Sequence, residues 1–250
     1  MRIILAFLLF GCFNNSQLIV EKIISNSVSF LEKPYISDPL GEGKSGKYDT
    51  DPTFRTDGFD CLTYVETVMA MSLSKNPNEI MNEIRYKDSK IAYKNRNHFM
   101  SADWIPNNVK NGYIEDITEN FGENKIATTF IQKDKWAEKK KIHEFFGENK
   151  IASIPYISLK TIFKTPAILD KIPAGSIINI VRPNWNLEKI IGTNLNISHT
   201  GFLIKKENKI IFRHASATDK KIVDVELLKY LLQFKNSKSI KGINLLRISY

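Results

Sequence analysis

The chain has 250 residues, 42% of them hydrophobic, and a formal charge of +9. That length suits one buried catalytic domain with insertions, and the apolar content is ordinary for a globular protein. Its basic residues, such as Lys139-Lys140-Lys141 and Lys205-Lys206, are scattered among acidic ones without a reader motif. This argues against a nucleic-acid partner and for a solvated surface that favours anionic surroundings such as cell-wall polymer or lipid headgroups.

Met1 to Gly11 holds one positive charge and an unbroken apolar run from Ile3 to Phe10. The run is too short to span a bilayer but has the layout of a secretory signal. Leu9-Phe10-Gly11-Cys12 resembles the lipobox of bacterial lipoproteins, whose cysteine becomes the lipidated first residue. The expectation is a signal and lipobox over 1–12, a lipid on Cys12, export to the cell envelope and one domain over 16–250. A buried N-terminal strand or helix is the alternative. With Cys12 lipidated, Cys61 would be a free thiol; a Cys12–Cys61 disulfide is the rival arrangement.

Ser16 to Leu31 carries apolar residues at helical spacing. Lys33 to Gly58 holds three prolines and four glycines and reads as a long ordered loop, a candidate wall for a cleft. From Asp60 an amphipathic helix over Cys61, Leu62, Val65, Val68, Met69 and Leu73 ends before Asn76-Pro77-Asn78, and Asn78 to Ile84 starts a second helix. Arg85 to Asn97 reads as strand-like or irregular, Ile114 to Phe121 as structured but of undetermined type, and Gln132 to Gly147 as a solvated helix or hairpin flank. Phe121-Gly122-Glu123-Asn124-Lys125-Ile126-Ala127 recurs at Phe146 to Ala152, a short duplication to which no function attaches. A strand over Gly175 to Arg182, a hairpin of Thr200–Lys205 with Lys209–His214, a helix over Val223 to Tyr230 and a strand over Ile243 to Ile248 complete an α+β pattern.

A cysteine in the first turn of a helix meets unpaired N–H groups and the positive dipole end, which favour thiolate and can hold an oxyanion. His199 and His214 fall at the same end of neighbouring antiparallel strands, so one can act as base and the other can orient it. A zinc site from His98, Asp103, His199 and His214 is the alternative, but it leaves the cysteine at the helix start unexplained. There is no phosphate loop, dinucleotide fingerprint or His-Glu-x-x-His run. No cofactor and no metal is expected. Arg96 could hold a carboxylate, His98, Asp103 and Trp104 could form a substrate wall, and Asp60 could touch substrate or cap the helix.

Phe59-Asp60-Cys61-Leu62-Thr63-Tyr64-Val65-Glu66, Ser198-His199-Thr200-Gly201-Phe202 and His214-Ala215-Ser216 resemble the motifs of the NlpC/P60 superfamily of papain-like cell-wall hydrolases. The similarity is strongest to its DUF1460, N-acetylmuramoyl-L-alanine amidase-like branch, in which a stretch like Arg96-Asn97-His98-Phe99 with Asp103-Trp104 also follows the catalytic helix. The resemblance implies a papain-like α+β fold, Cys61 as nucleophile, His199 as general base and acid, His214 as orienting residue and Tyr48 as support for the oxyanion site. It implies peptidoglycan or muropeptide fragments as partners, with the lactyl–L-alanine amide as the bond. A D-glutamyl–diamino acid bond, or a wall-fragment-binding lipoprotein without turnover, remains the alternative.

Overall fold

The computed structural model describes residues 17–143 and 147–249, so the signal segment and Cys12 lie outside the described residues. Helix α1 (17–28) leads into the long loop, followed by α2 (Cys61–Leu73), α3 (Pro77–Arg85) and α4 (Ile105–Lys110). Then come β1 (Ile114–Asp116), β2 (Asn124–Ile131), α5 (Lys133–Lys139), β3 (Lys150–Ser158), α6 (Leu159–Lys164) and α7 (Ile168–Lys171). The chain continues through β4 (Ile177–Trp185), α8 (Glu188–Ile191), β5 (Leu195–Lys206), β6 (Lys209–Ser216), β7 (Lys221–Glu226), α9 (Leu227–Leu232) and β8 (Gly242–Ile248). The strands pair antiparallel in the order β2-β3-β8-β4-β5-β6-β7, with β1 added on β8. This is a mixed α and β fold around an antiparallel sheet. Among the described residues no helix is long and apolar enough to cross a membrane.

Helix α2 is buried on nearly every side, as a helix sunk between layers must be. Its Tyr64, Val65, Val68 and Met69 share one core with Phe202 and Ile204 of β5, Ala215 of β6 and Ile222 of β7. The other face of the sheet carries Ile178, Ile180, Leu203, Phe212 and Leu245 under Ile162, Leu169, Leu227 and Leu231 of the later helices.

A carboxylate sits inside this packing. Glu66 of α2 is 1% exposed; Arg85 of α3 donates to its Oε2, and the indole N–H of Trp104 donates to its Oε1 at 2.9 Å. Arg85 also donates to the Leu40 carbonyl at 3.0 Å, and Tyr86 Oη to that of Gly41 at 2.9 Å. The long loop is thus tied to the helix pair by side-chain hydrogen bonds rather than by strands of its own.

Two parts of the chain differ from the sequence reading. Val223 to Tyr230 splits into the end of β7 and the start of α9, because Lys221–Glu226 pairs with β6. Strands β2 and β3 were not anticipated. They place Ile126, Phe130 and Ile151 on an exposed face, while Ala127, Thr129 and Ile131 point inward, so large apolar residues fall on both faces and the period-2 signal is blurred. The duplicated segments enter these two neighbouring strands; Phe146 of the second copy lies outside the described residues.

Candidate active site

Cys61 is the first residue of α2, half-buried, and a free cysteine. Asp60 is its N-cap. The Asp60 carboxylate accepts from the Thr63 N–H at 2.8 Å while the Asp60 N–H donates to Thr63 Oγ1 at 3.0 Å, a capping box that sets the entry of the chain into the helix. The backbone N–H groups of Thr200, Leu62 and Cys61 favour the thiolate. Burial, with the Asp60 charge behind it, outweighs them and pushes the thiol up to about 12. The expectation of an acidic thiol is therefore overturned, because desolvation exceeds what a helix end supplies.

Strands β5 and β6 meet in a two-residue turn, with Lys206 opposite Lys209 and positive φ at Glu207 (49°) and Asn208 (61°). Such turns follow the natural strand twist and hold the pair in register. On the other side of β5, Ile180 faces His199 while Val181 faces Ile197, so the register slips at Ser198 and the slip re-aims His199. Gly201 completes the approach. A Cβ there would lie 2.6 Å from the Arg213 carbonyl and 2.8 Å from His214 Cβ. We expect Gly201→Ala to cost about 1–3 kcal/mol of stability through overpacking, measured by urea unfolding; an unchanged midpoint would show that the strands part freely here.

His199 Nε2 and His214 Nδ1 are 2.7 Å apart, with the rings perpendicular. Phe212 stacks on His214 at 4.6 Å, and Tyr230 lies 5.3 Å from His214 and 6.4 Å from His199. Burial pushes His199 down to about 3, with His214 adding to the shift; burial pushes His214 down to about 4 against the nearby Asp219. Both rings are neutral near pH 7.

His98 is pushed down to about 3 by burial and then by Arg96. All three imidazoles bind protons more readily in the unfolded chain, where the pKa is about 6.5. Their contribution is whole above that pH and is lost progressively as pH falls, down to about 4 for His214 and about 3 for the other two. Each removes roughly 1 kcal/mol per pH unit below about 6.5. The urea midpoint should therefore fall steeply between pH 7 and 5; a flat midpoint would mean that the folded state takes up these protons.

The remaining predicted positions divide. Trp104 is wholly buried and bound to Glu66, so it belongs to the core and not to a substrate wall. Arg96 donates to Glu42 at 2.6 Å and to Asp49, so its charge is already answered inside the fold and it is not a free carboxylate clamp. Asp103 accepts from Lys133 Nζ at 2.6 Å. His98 is packed 4.5 Å from both Tyr93 and Trp136 with Nε2 at 2.7 Å from the Tyr93 carbonyl. With these commitments, the zinc set of His98, Asp103, His199 and His214 is not assembled around one point. Asp60, Leu62, Thr63, Arg96 and His98 border a cavity of about 240 Å³ beside the head of α2.

The model of the family described as AmiA-like, N-acetylmuramoyl-L-alanine amidase-like, matches residues 25–240. The chain belongs to this family. It is 33% identical to a Legionella pneumophila protein of family model DUF1460, whose crystal structure superposes with a TM-score of 0.89 over 98% of this chain and 96% of that one. An N-acetylmuramoyl-L-alanine amidase from Bacteroides uniformis is 25% identical over 93% of this chain and 99% of its own, with a TM-score of 0.67. A protein described as a putative xylanase, from Bacteroides fragilis, shares the fold at 24% identity and a TM-score of 0.66 over 90% of this chain and 100% of that one. A search of curated proteins returns no match. At family level the chain is amidase-like and directed at peptidoglycan.

In this AmiA-like chain two tyrosines missed from the sequence flank the cysteine. Tyr35 is pushed up to about 12 by burial, then by negative charge at Cys61 and Asp60. Tyr230 is pushed up to about 12 by burial and then by Cys61. Tyr48, the position expected there, instead packs on Tyr93 at 5.6 Å beside a different pocket. Gly58 held the readable signal: Tyr35 bridges Phe59, and a Cβ on Gly58 would lie 2.3 Å from Ile36 Cδ1. A glycine just before the helix can mark another segment crossing closely.

Proposed function

We propose that this chain is a papain-like cysteine hydrolase of the NlpC/P60 kind that cuts the lactyl–L-alanine amide of muropeptides. The observation that carries the reading is the 2.7 Å contact of His199 with His214, on a strand whose Thr200 N–H acts on the Cys61 sulfur. His214 orients His199 in this reading: His199 Nε2–H donates to His214 Nδ1, which leaves His199 Nδ1 as the base. The thiol proton passes to that nitrogen as sulfur attacks the amide carbonyl, and the resulting oxyanion takes N–H groups at the head of α2. Collapse expels the amine, which receives the proton from His199. Water, activated by the same imidazole, then hydrolyses the thioester and restores the thiol. Starting from a neutral pair, the proton moves with the attack rather than before it.

The signal over 1–12, lipidation at Cys12, the single domain over 16–250 and a cell-envelope location belong to the same proposal; the family's peptidoglycan-directed character supports the location. The test is mass spectrometry of defined muropeptides incubated with the mature protein and with Cys61→Ala. Cysteine-dependent release of intact stem peptide beginning at L-alanine is the expected result. Shorter cysteine-dependent fragments would replace it with the D-glutamyl–diamino acid endopeptidase, and no cleavage by folded protein would leave a wall-fragment-binding protein.

A further inference from the structure

A second cavity lies beside the one at the head of α2. Arg96, His98 and Trp136 border both the cavity at the helix head and this one of about 460 Å³, so the two are neighbours across these side chains. The second has Phe99 and Trp136 in its lining, and there, among the described residues, the lysines Lys87, Lys94, Lys133 and Lys150 are set against the carboxylates Asp103 and Glu148. Asp103 holds Lys133 at 2.6 Å and Lys150 at 3.7 Å. Arg96 has its charge answered by Glu42 and Asp49. Lys87 and Lys94 are exposed, and among the described residues neither has a carboxylate in ion-pair contact. The result is a concave, partly aromatic surface with excess positive charge, next to the cavity bordered by Asp60 and Leu62, the residues on either side of the proposed nucleophile.

We propose that this lysine-lined cavity is the subsite for the acidic peptide arm of the substrate, so that the chain selects amides whose peptide carries free carboxylates. The inference rests on the amide-hydrolase reading. Lysine ammonium groups attract charge without imposing the planar geometry of arginine, which suits an arm whose carboxylates vary in position. In a walled cleft such attraction also exceeds that of the same charges on an open surface.

The test uses the full chain carrying Cys61→Ala, which binds without turnover. It is titrated with a muropeptide whose peptide carboxylates are free and with its carboxamide analogue, at low and high salt. The acid should bind about tenfold more tightly at low salt, and the advantage should shrink as salt screens it. Adding the exposed changes Lys87→Gln and Lys94→Gln should bring the two affinities to within about twofold. Equal affinity for acid and carboxamide, an advantage that survives both lysine changes, or binding of neither form would overturn the subsite. Cleavage by the wild-type chain is scored apart. Cysteine-dependent cleavage without acid preference leaves the hydrolase standing and removes the subsite, whereas acid-selective binding without cleavage does the reverse.

Discussion

Cys61→Ala should lower muropeptide hydrolysis by about four orders of magnitude or more while leaving substrate binding in place. No other cysteine stands among the described residues to replace it, and the N–H groups of Thr200, Leu62 and Cys61 would then surround a methyl group. His199→Ala should cost a similar amount, and the double change little more, because parts of one proton-transfer unit are not additive. His214→Gln should cost less, since its side-chain oxygen can still accept from His199 Nε2. The pH profile adds a reading that a merely structural role would not move. With the thiol at about 12 and His199 at about 3, kcat/KM should be flat from pH 6 to 8. A step near pH 6.5 would mean that an ordinary imidazole controls the reaction. Retained hydrolysis in Cys61→Ala would end the assignment of the nucleophile.

Glu66→Ala should destabilise the fold by about 3–5 kcal/mol, a large part of the roughly 5–15 kcal/mol available to a domain. The change leaves the buried Arg85 guanidinium without its carboxylate and the Trp104 indole N–H without its acceptor. Glu66→Gln should cost less, because an amide oxygen still accepts from Trp104. The paired change Glu66→Met with Arg85→Met should recover much of the loss, since a buried ion pair removed together costs far less than one broken. Urea unfolding of the three variants measures this. Equal stability of Glu66→Ala and the wild type would show that water reaches Arg85 in the folded protein.

What the chain alone determined follows from short-range rules. Asp60 and Thr63 specify a helix start through a capping box, and they put Cys61 at its first residue. A two-residue turn of positive-φ residues and the strand alternation around it bring His199 and His214 to the same end of a hairpin, where the rings meet at 2.7 Å. These placements are legible because each depends on neighbours within a few residues or on one tight turn. Tertiary structure decided what depends on distant partners. Arg96 resembled a free clamp until the loop laid Glu42 and Asp49 against it, and Trp104 resembled a wall until Glu66 came to meet it. Tyr35 and Tyr230 come to the cysteine from opposite ends of the chain. The thiol's acidity was reversed for the same reason. The helix end acts locally and can be read in the sequence, but desolvation is the summed effect of everything packed around the sulfur, and that sum exists only once the chain has folded.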